Sequence, residues 1–231
     1  SGRQRVGLWR GYHPKGGLHW RVPYRAGQRH GTYEEYHPTG ELLTRGRYER
    51  DVPVGTHVFR GPDGKVYGRS RIVAGTGDWT SYYPDGAKRE QGSFRNHLWH
   101  GKWVRYYENG SPRTVYTYRL GKAHGQHRGY YPTGELLLQG EYRDARRVGT
   151  WVAYYNNGQE RWRGEYKDGM MHGTWTDFHY TGTRKVQGSY VQDQRQGQWT
   201  EYHENGKPMR RGPYVDDKRH GEFELYWYSG K

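Results

Sequence analysis

The residues best able to do chemistry in this chain are its 13 histidines, since imidazoles ligate zinc and carry protons near neutral pH. Their spacing argues against either use. Five stand directly before a glycine (His30, His100, His124, His172, His220), and four follow a tyrosine or phenylalanine (His13, His37, His179, His203). His57 and His127 take places that tryptophan holds elsewhere. All eleven follow one period of 24 residues. Equivalent positions in adjacent β-hairpins lie about 9–10 Å apart, too far for two imidazoles to share one zinc at about 2.0–2.1 Å. His97 and His100 are near neighbours in sequence, but such a pair is not by itself a site. There is no cysteine, no G-x-S-x-G, no H-E-x-x-H and no P-loop. The run AGTGDW (Ala74–Trp79) looks like a phosphate loop but keeps the phase of the period, as a turn would. Glu141 and Glu165 occupy equivalent, solvated places. No catalytic, metal or cofactor residue is expected, and the chain reads as a non-enzyme.

The elements that carry these residues are set by composition and repetition. The chain has 231 residues and formal charge +14. High charge with few aliphatics usually means disorder. Ten Trp, 24 Tyr and 4 Phe point instead to a folded chain whose core is aromatic. No apolar run approaches membrane-spanning length, and no signal-peptide core is visible. The absence of Cys excludes a disulfide framework and a zinc ribbon.

The repeat is explicit. The stretch GKWVRYYENG (Gly101–Gly110) returns as GTWVAYYNNG (Gly149–Gly158) and GQWTEYHENG (Gly197–Gly206). Units open at Gly7, Gly31, Gly55, Gly77, Gly101, Gly125, Gly149, Gly173, Gly197 and Gly221, always 24 residues apart except for one step of 22 between Gly55 and Gly77. A second glycine stands nine residues after each opening one, from Gly16 to Gly230. Aromatics recur two, five and seventeen residues after the opening glycine, as in Trp151, Tyr154 and Tyr166. Each unit reads as a β-hairpin. A short aromatic strand meets a turn such as P-T-G or E-N-G, whose glycine takes the left-handed conformation. A second strand follows, usually with a glycine two residues before its tyrosine (Gly46, Gly92, Gly140, Gly164, Gly188, Gly212), where a neighbouring ring is expected to lie. A lone hairpin is marginal in water, so the units must stack. The expected fold is all-β: an elongated single-layer solenoid of about ten stacked antiparallel β-hairpins, one array over residues 1–231 with an incomplete last unit. The third unit departs most, with Arg60 in a tyrosine place and two residues deleted after it.

Two sets of side chains are the candidate binding residues. The aromatic set is Trp79, Trp103, Trp151, Trp175 and Trp199 with Tyr107 and Tyr155. The basic set stands five and three residues before the ladder aromatic: Arg21, Arg45, Arg69, Arg89, Arg113, Arg161, Arg163, Lys185 and Arg211. These two offsets share strand parity, which predicts a single basic stripe. If the three-residue turn sets the register, tryptophan and arginine oppose each other across the hairpin and stack as cation–π pairs.

The stretches GEYKDGMMHGTWTDFHYTG (Gly164–Gly182) and GEYRDARRVGTWVAYYNNG (Gly140–Gly158) resemble the MORN repeat, most closely its bacterial variant form, over essentially the whole chain. The resemblance implies a single-layer run of hairpins used as a scaffold or binding surface, with protein partners or anionic lipids. Many variant members carry an antitoxin-like label. The expected function is therefore a non-enzymatic scaffold that binds a protein partner through an extended aromatic and basic face, within a larger assembly. The alternatives are a peripheral module for anionic lipid or another polyanion, and an antitoxin or immunity partner of a toxin. Nucleic acid is disfavoured because none of its usual motifs is present. The unfinished last hairpin predicts capping or end-to-end contacts, and the opening Ser1–Gly2 reads as a cleavage scar. The leaning is to a bacterial envelope or secreted setting, with the cytoplasm left open.

Overall fold

A computed structural model describes residues 4–229. The glycine at 230 and the opening Ser1–Gly2, singled out above, lie outside the described residues. Every regular element in that range is a β-strand, and the strands pair antiparallel. The chain divides into two compact units, one of residues 4–112 with 118–121, the other of residues 113–117 with 122–229. Each is a single-layer run of consecutive hairpins.

The second unit shows the repeat at its most regular. Its ladder runs through Gly125–Tyr130, Leu136–Arg143, Arg146–Tyr154, Glu160–Lys167, Met170–Phe178, Arg184–Val191, Gln194–Tyr202 and Pro208–Val215. Within a hairpin the opening glycine faces the ladder tyrosine, as in Gly149↔Tyr166 and Gly173↔Tyr190. The aromatic two residues on faces the strand glycine, as in Trp151↔Gly164 and Trp175↔Gly188. Between hairpins the register skips. Gln139 pairs Val152 and Glu141 pairs Val148, which leaves Gly140 opposite the three residues Gly149–Trp151. That bulge lays the Trp151 indole over Gly140, where a Cβ would be driven into the ring. Trp103 over Gly92, Trp199 over Gly188 and His57 over Gly46 repeat the arrangement. Glycine is required here for close approach, as the sequence predicted, and the approaching ring is that of the next unit.

The two ends of each hairpin close differently. The aromatic strand reaches its partner through the P-x-G-type turn. The other end uses two consecutive left-handed residues, such as Asp144 (φ 48°) and Ala145 (φ 69°) or Asp216 (48°) and Asp217 (64°). This is the two-residue turn whose twist matches paired strands.

The first unit contains an interruption. One ladder runs through Gly7–Tyr12, Leu18–Arg25, Gly31–Tyr36, Leu42–Glu49, Val52–Arg60 and Val66–Ile72. A second starts at Gly77–Tyr82 and continues through Lys88–Arg95 and Leu98–Tyr106. The break coincides with the two-residue deletion, because the missing residues are those that elsewhere lead from the turn into the bulge. Ser70 stands where six other units have the strand glycine. Its hydroxyl donates to the carbonyl of Thr80 and accepts from the amide of Thr80, both at 2.7 Å. A side chain thus joins strands that the backbone ladder does not.

Candidate functional site

The aromatic ladder is the interior of the fold. Trp79, Trp103 and Trp199 are buried, and Trp151 is 0% exposed; Trp175 is half-buried. Each ring meets its neighbours edge to face: Tyr142 and Trp151 at 5.0 Å and 80°, Tyr190 and Trp199 at 5.0 Å and 81°. This arrangement sets a positive ring edge against a negative ring face. The indole N–H groups of Trp103 and Trp151 donate to the carbonyls of Ser93 (3.1 Å) and Glu141 (3.2 Å). Trp175 turns instead to donate to Asp177 at 3.0 Å and stacks on Trp162 at 4.9 Å. Four of the five ladder tryptophans therefore have little surface to offer a partner.

Tyr107 and Tyr155 hold equivalent, half-buried places. The Tyr155 hydroxyl donates to the carbonyl of Phe178, one unit further on, at 2.9 Å. Tyr83 and Tyr131 make the same bond to Tyr106 (2.8 Å) and Tyr154 (2.9 Å). His13, His37 and His179 occupy this place in other units, and their Nε2 atoms reach the carbonyls of Tyr36, Arg60 and Tyr202. Histidine and tyrosine substitute here because both carry a donor at the reach of the next turn. The two ladder histidines are equally structural. His57 Nε2 meets the carbonyl of Arg47 (3.0 Å) and His127 Nδ1 that of Val115 (3.2 Å). Burial holds both rings neutral, with pKa lowered to about 4. Among the described residues no three His, Asp or Glu side chains converge as metal ligands.

The basic residues do not form the expected stripe. Residues three before the ladder aromatic pair with the strand face opposite the tryptophans: Arg21 and Arg45 both engage Glu34, and Arg211 engages Glu224 at 3.4 Å. Residues five before it turn the other way. Arg89 reaches Glu35 at 3.0 Å, and Glu35 neighbours Glu34 on one strand and so points to the opposite face. Lys185 lines a groove with Val186, Met209 and Glu201 on that second side. A bulge beside the ladder tyrosine, between Ala153 and Tyr154 in one hairpin, causes the difference, because one inserted residue reverses which face follows. Within the first unit Arg21, Arg45 and Arg69 thus share one row, as Arg45↔Val58↔Arg69 shows, and within the second Arg163 and Arg211 hold the corresponding places. Arg89 and Lys185 are separated from it; Arg113 and Arg161 share their offset and are exposed. Arg163 is held by Glu160, and hydrogen bonding to Arg21 keeps Glu34 below the usual carboxylate range.

Nor does the tryptophan face the arginine. Trp151 opposes Gly164, and Arg163 opposes Val152. The cation–π partners are other arginines, two residues before the opening glycine. Arg147 lies 4.4 Å from the Trp151 ring and 5.2 Å from Tyr166; Arg195 lies 4.2 Å from Tyr214; Arg29 lies 4.1 Å from Tyr48. Sequence reasoning missed them, although their recurrence at Arg5, Arg29, Arg147, Arg195 and Arg219 was there to read. Their guanidinium groups lie over the outer edge of the ladder, where Arg29 and Arg195 also pair with Asp51 and Asp217, both at 2.9 Å. Trp99 replaces arginine in one unit and meets Tyr118 edge to face at 4.9 Å and 71°.

No helix is long and apolar enough to cross a membrane among the described residues. Comparison with curated proteins finds no match. Solved structures with weak similarity to this chain include a GtfA/B complex bound to UDP and GlcNAc (14% identity, 49% of this chain, 22% of that one, TM-score 0.22). The TcdB2-TccC3-Cdc42 complex (14%, 91% and 12%, 0.20) and TcdB2-TccC3 (14%, 88% and 12%, 0.19) are two more. The chain thus spans 12–22% of the length of these structures, and at such TM-scores the likeness says nothing of activity. The MORN repeat variant model matches residues 29–50, 76–96, 99–119, 123–144 and 195–216. These segments carry the left-handed turn, the opening glycine or the ladder aromatics described above, and the chain belongs to the MORN repeat variant family.

Proposed function

We propose that the chain is a non-enzymatic scaffold that docks a protein partner through its exposed strand face and edges. MORN repeats are protein- or lipid-binding modules, which supports a binding role. The observation that carries the protein reading is the state of the arginines. Arg21, Arg45, Arg89, Arg163 and Arg211 are each engaged by a carboxylate of this chain. Such a surface is patterned in charge instead of uniformly cationic, and patterned surfaces discriminate between protein partners. The half-buried Trp175, Tyr107 and Tyr155 add aromatic contact area elsewhere on the hairpins.

The test is affinity capture from nuclease-treated native lysate, at low and at physiological salt, read by mass spectrometry. A stoichiometric protein that survives physiological salt is expected. Recovery of acidic lipid, glycan or nucleic acid alone, lost with salt, would refute the reading. Anionic lipid has one observation in its favour: Arg69, Arg161 and Lys185 have no carboxylate within ion-pair distance among the described residues. That reading requires salt-sensitive binding to phosphatidylserine vesicles that falls when Arg161, Arg163 and Arg211 become Gln.

A further inference from the structure

The one break in the repeat makes a recess. In a regular unit the second residue of each left-handed turn donates its amide to the edge of the preceding unit: Asp51 to Arg29 (3.1 Å), His97 to Gly75 (2.9 Å), Gly121 to Trp99 (3.1 Å). The equivalent bond from Gly75 to Pro53 is missing among the described residues. The turn at Ala74–Gly75 is two residues closer to its opening glycine than the others and does not fill its place. A recess of about 350 Å³ results between the flanking turns, lined by Glu49, Arg50, Val52, His97 and Leu98.

The rim is unusual in two independent ways. Leu98 and Trp99 are 42% and 39% exposed, and Leu120, in the next turn, is 75% exposed. Leu120 also sits at φ 51°. Four other turns place Asn96, Asp144, Asp168 and Asp216 there and four place Ala26, Arg50, Ala74 and Gln192, so among the described residues Leu120 is the one large apolar side chain held in that conformation. A leucine that is both strained and in water serves neither folding nor solubility. A Leu98 methyl lies against Gly121, so this turn borders the recess. The charges around it are positive. Arg50 and Arg95 are exposed and have no carboxylate partner among the described residues, whereas Glu49 is neutralised by Arg47 at 3.5 Å. Arg95 stands directly across the strand pair from Leu98.

We infer that this recess is the docking point for an acidic protein segment that carries an aliphatic or aromatic anchor. The anchor fills the space beside Leu98 and covers Leu120, and flanking Asp or Glu side chains meet Arg50 and Arg95. The inference rests on the protein-docking reading above and gives it a place and a partner chemistry.

The experiment pans a phage-displayed library of random linear peptides on the full chain and titrates the enriched peptides on Leu98→Ser, Leu120→Asn and the double variant. The expected peptides carry one or two large apolar residues flanked by Asp or Glu. Their affinity should fall by about tenfold or more on the double variant and weaken with salt. Leu120→Asn should at the same time raise the melting temperature, because asparagine suits the left-handed turn. A purely structural leucine would not lose binding while gaining stability. Basic or neutral peptides, no enrichment, or equal affinity for the double variant would overturn the inference. So would a concentration-dependent dimer, or phosphatidylserine-vesicle binding, that Leu120→Asn abolishes, since either assigns the recess another occupant. A lysate partner that binds wild type and double variant equally would leave the docking reading standing and remove only the recess.

Discussion

His127→Phe tests whether the ladder is a dry interior. His127 occupies the ladder place of one unit, 4% exposed, with its ring 4.3 Å from Tyr116 and 5.6 Å from Trp151. Desolvation lowers its pKa to about 4, and the same holds for His57. The sign follows. In the unfolded chain the imidazole takes a proton near pH 6.5, whereas the folded ring resists it until about pH 4. Between these values the unfolded state binds more protons, so stability is intact above pH 6.5 and falls as pH drops toward 4. At pH 5 the loss is about 2 kcal/mol for each histidine, taking about 1.4 kcal/mol per pH unit over the interval from 6.5. Urea unfolding followed by tryptophan fluorescence at pH 8, 6.5 and 5 reads this. Carboxylates such as Glu34, held below their usual range, add their effect mainly below this window. The phenylalanine variant loses the bond to the Val115 carbonyl at every pH, which lowers its stability uniformly. Its pH dependence between 6.5 and 5 should shrink by about 2 kcal/mol. An unchanged slope would refute the buried, neutral ladder histidine.

Three further changes probe the packing. Gly140→Ala sets a methyl into the Trp151 indole and should cost about 3 kcal/mol or more, read in the same unfolding assay; the change at Gly134, with nothing within 4 Å of a Cβ but φ 102°, should cost about 1 kcal/mol through backbone strain alone. Ser70→Ala removes both bonds to Thr80 from a residue that is 2% exposed. It should cost about 2 kcal/mol and raise amide exchange selectively at Thr80 and its neighbours in the first unit.

Much of the architecture was legible because it is local. A hairpin needs its turn chemistry and alternation within one unit, and both recur with every opening glycine from Gly7 to Gly221. The strand glycines beneath rings and the structural role of most histidines were legible for the same reason. They are fixed by what one repeat must offer the next, and that requirement is written many times over.

What the sequence by itself determined was the unit, its period and the family; what the tertiary structure decided was the direction of each side chain. Strand parity assumes an unbroken pleat, and the bulges beside Tyr154 and opposite Gly149–Trp151 break it. One extra residue sends Arg163 to one face and Arg89-type positions to the other, and puts Arg147 over Trp151. A bulge forms where the ring of the next unit needs room over a glycine, so its place depends on contacts between hairpins. The recess beside Leu98 has the same origin. The two-residue deletion was plain in the sequence, but only the spacing of the neighbouring turns made it a cavity.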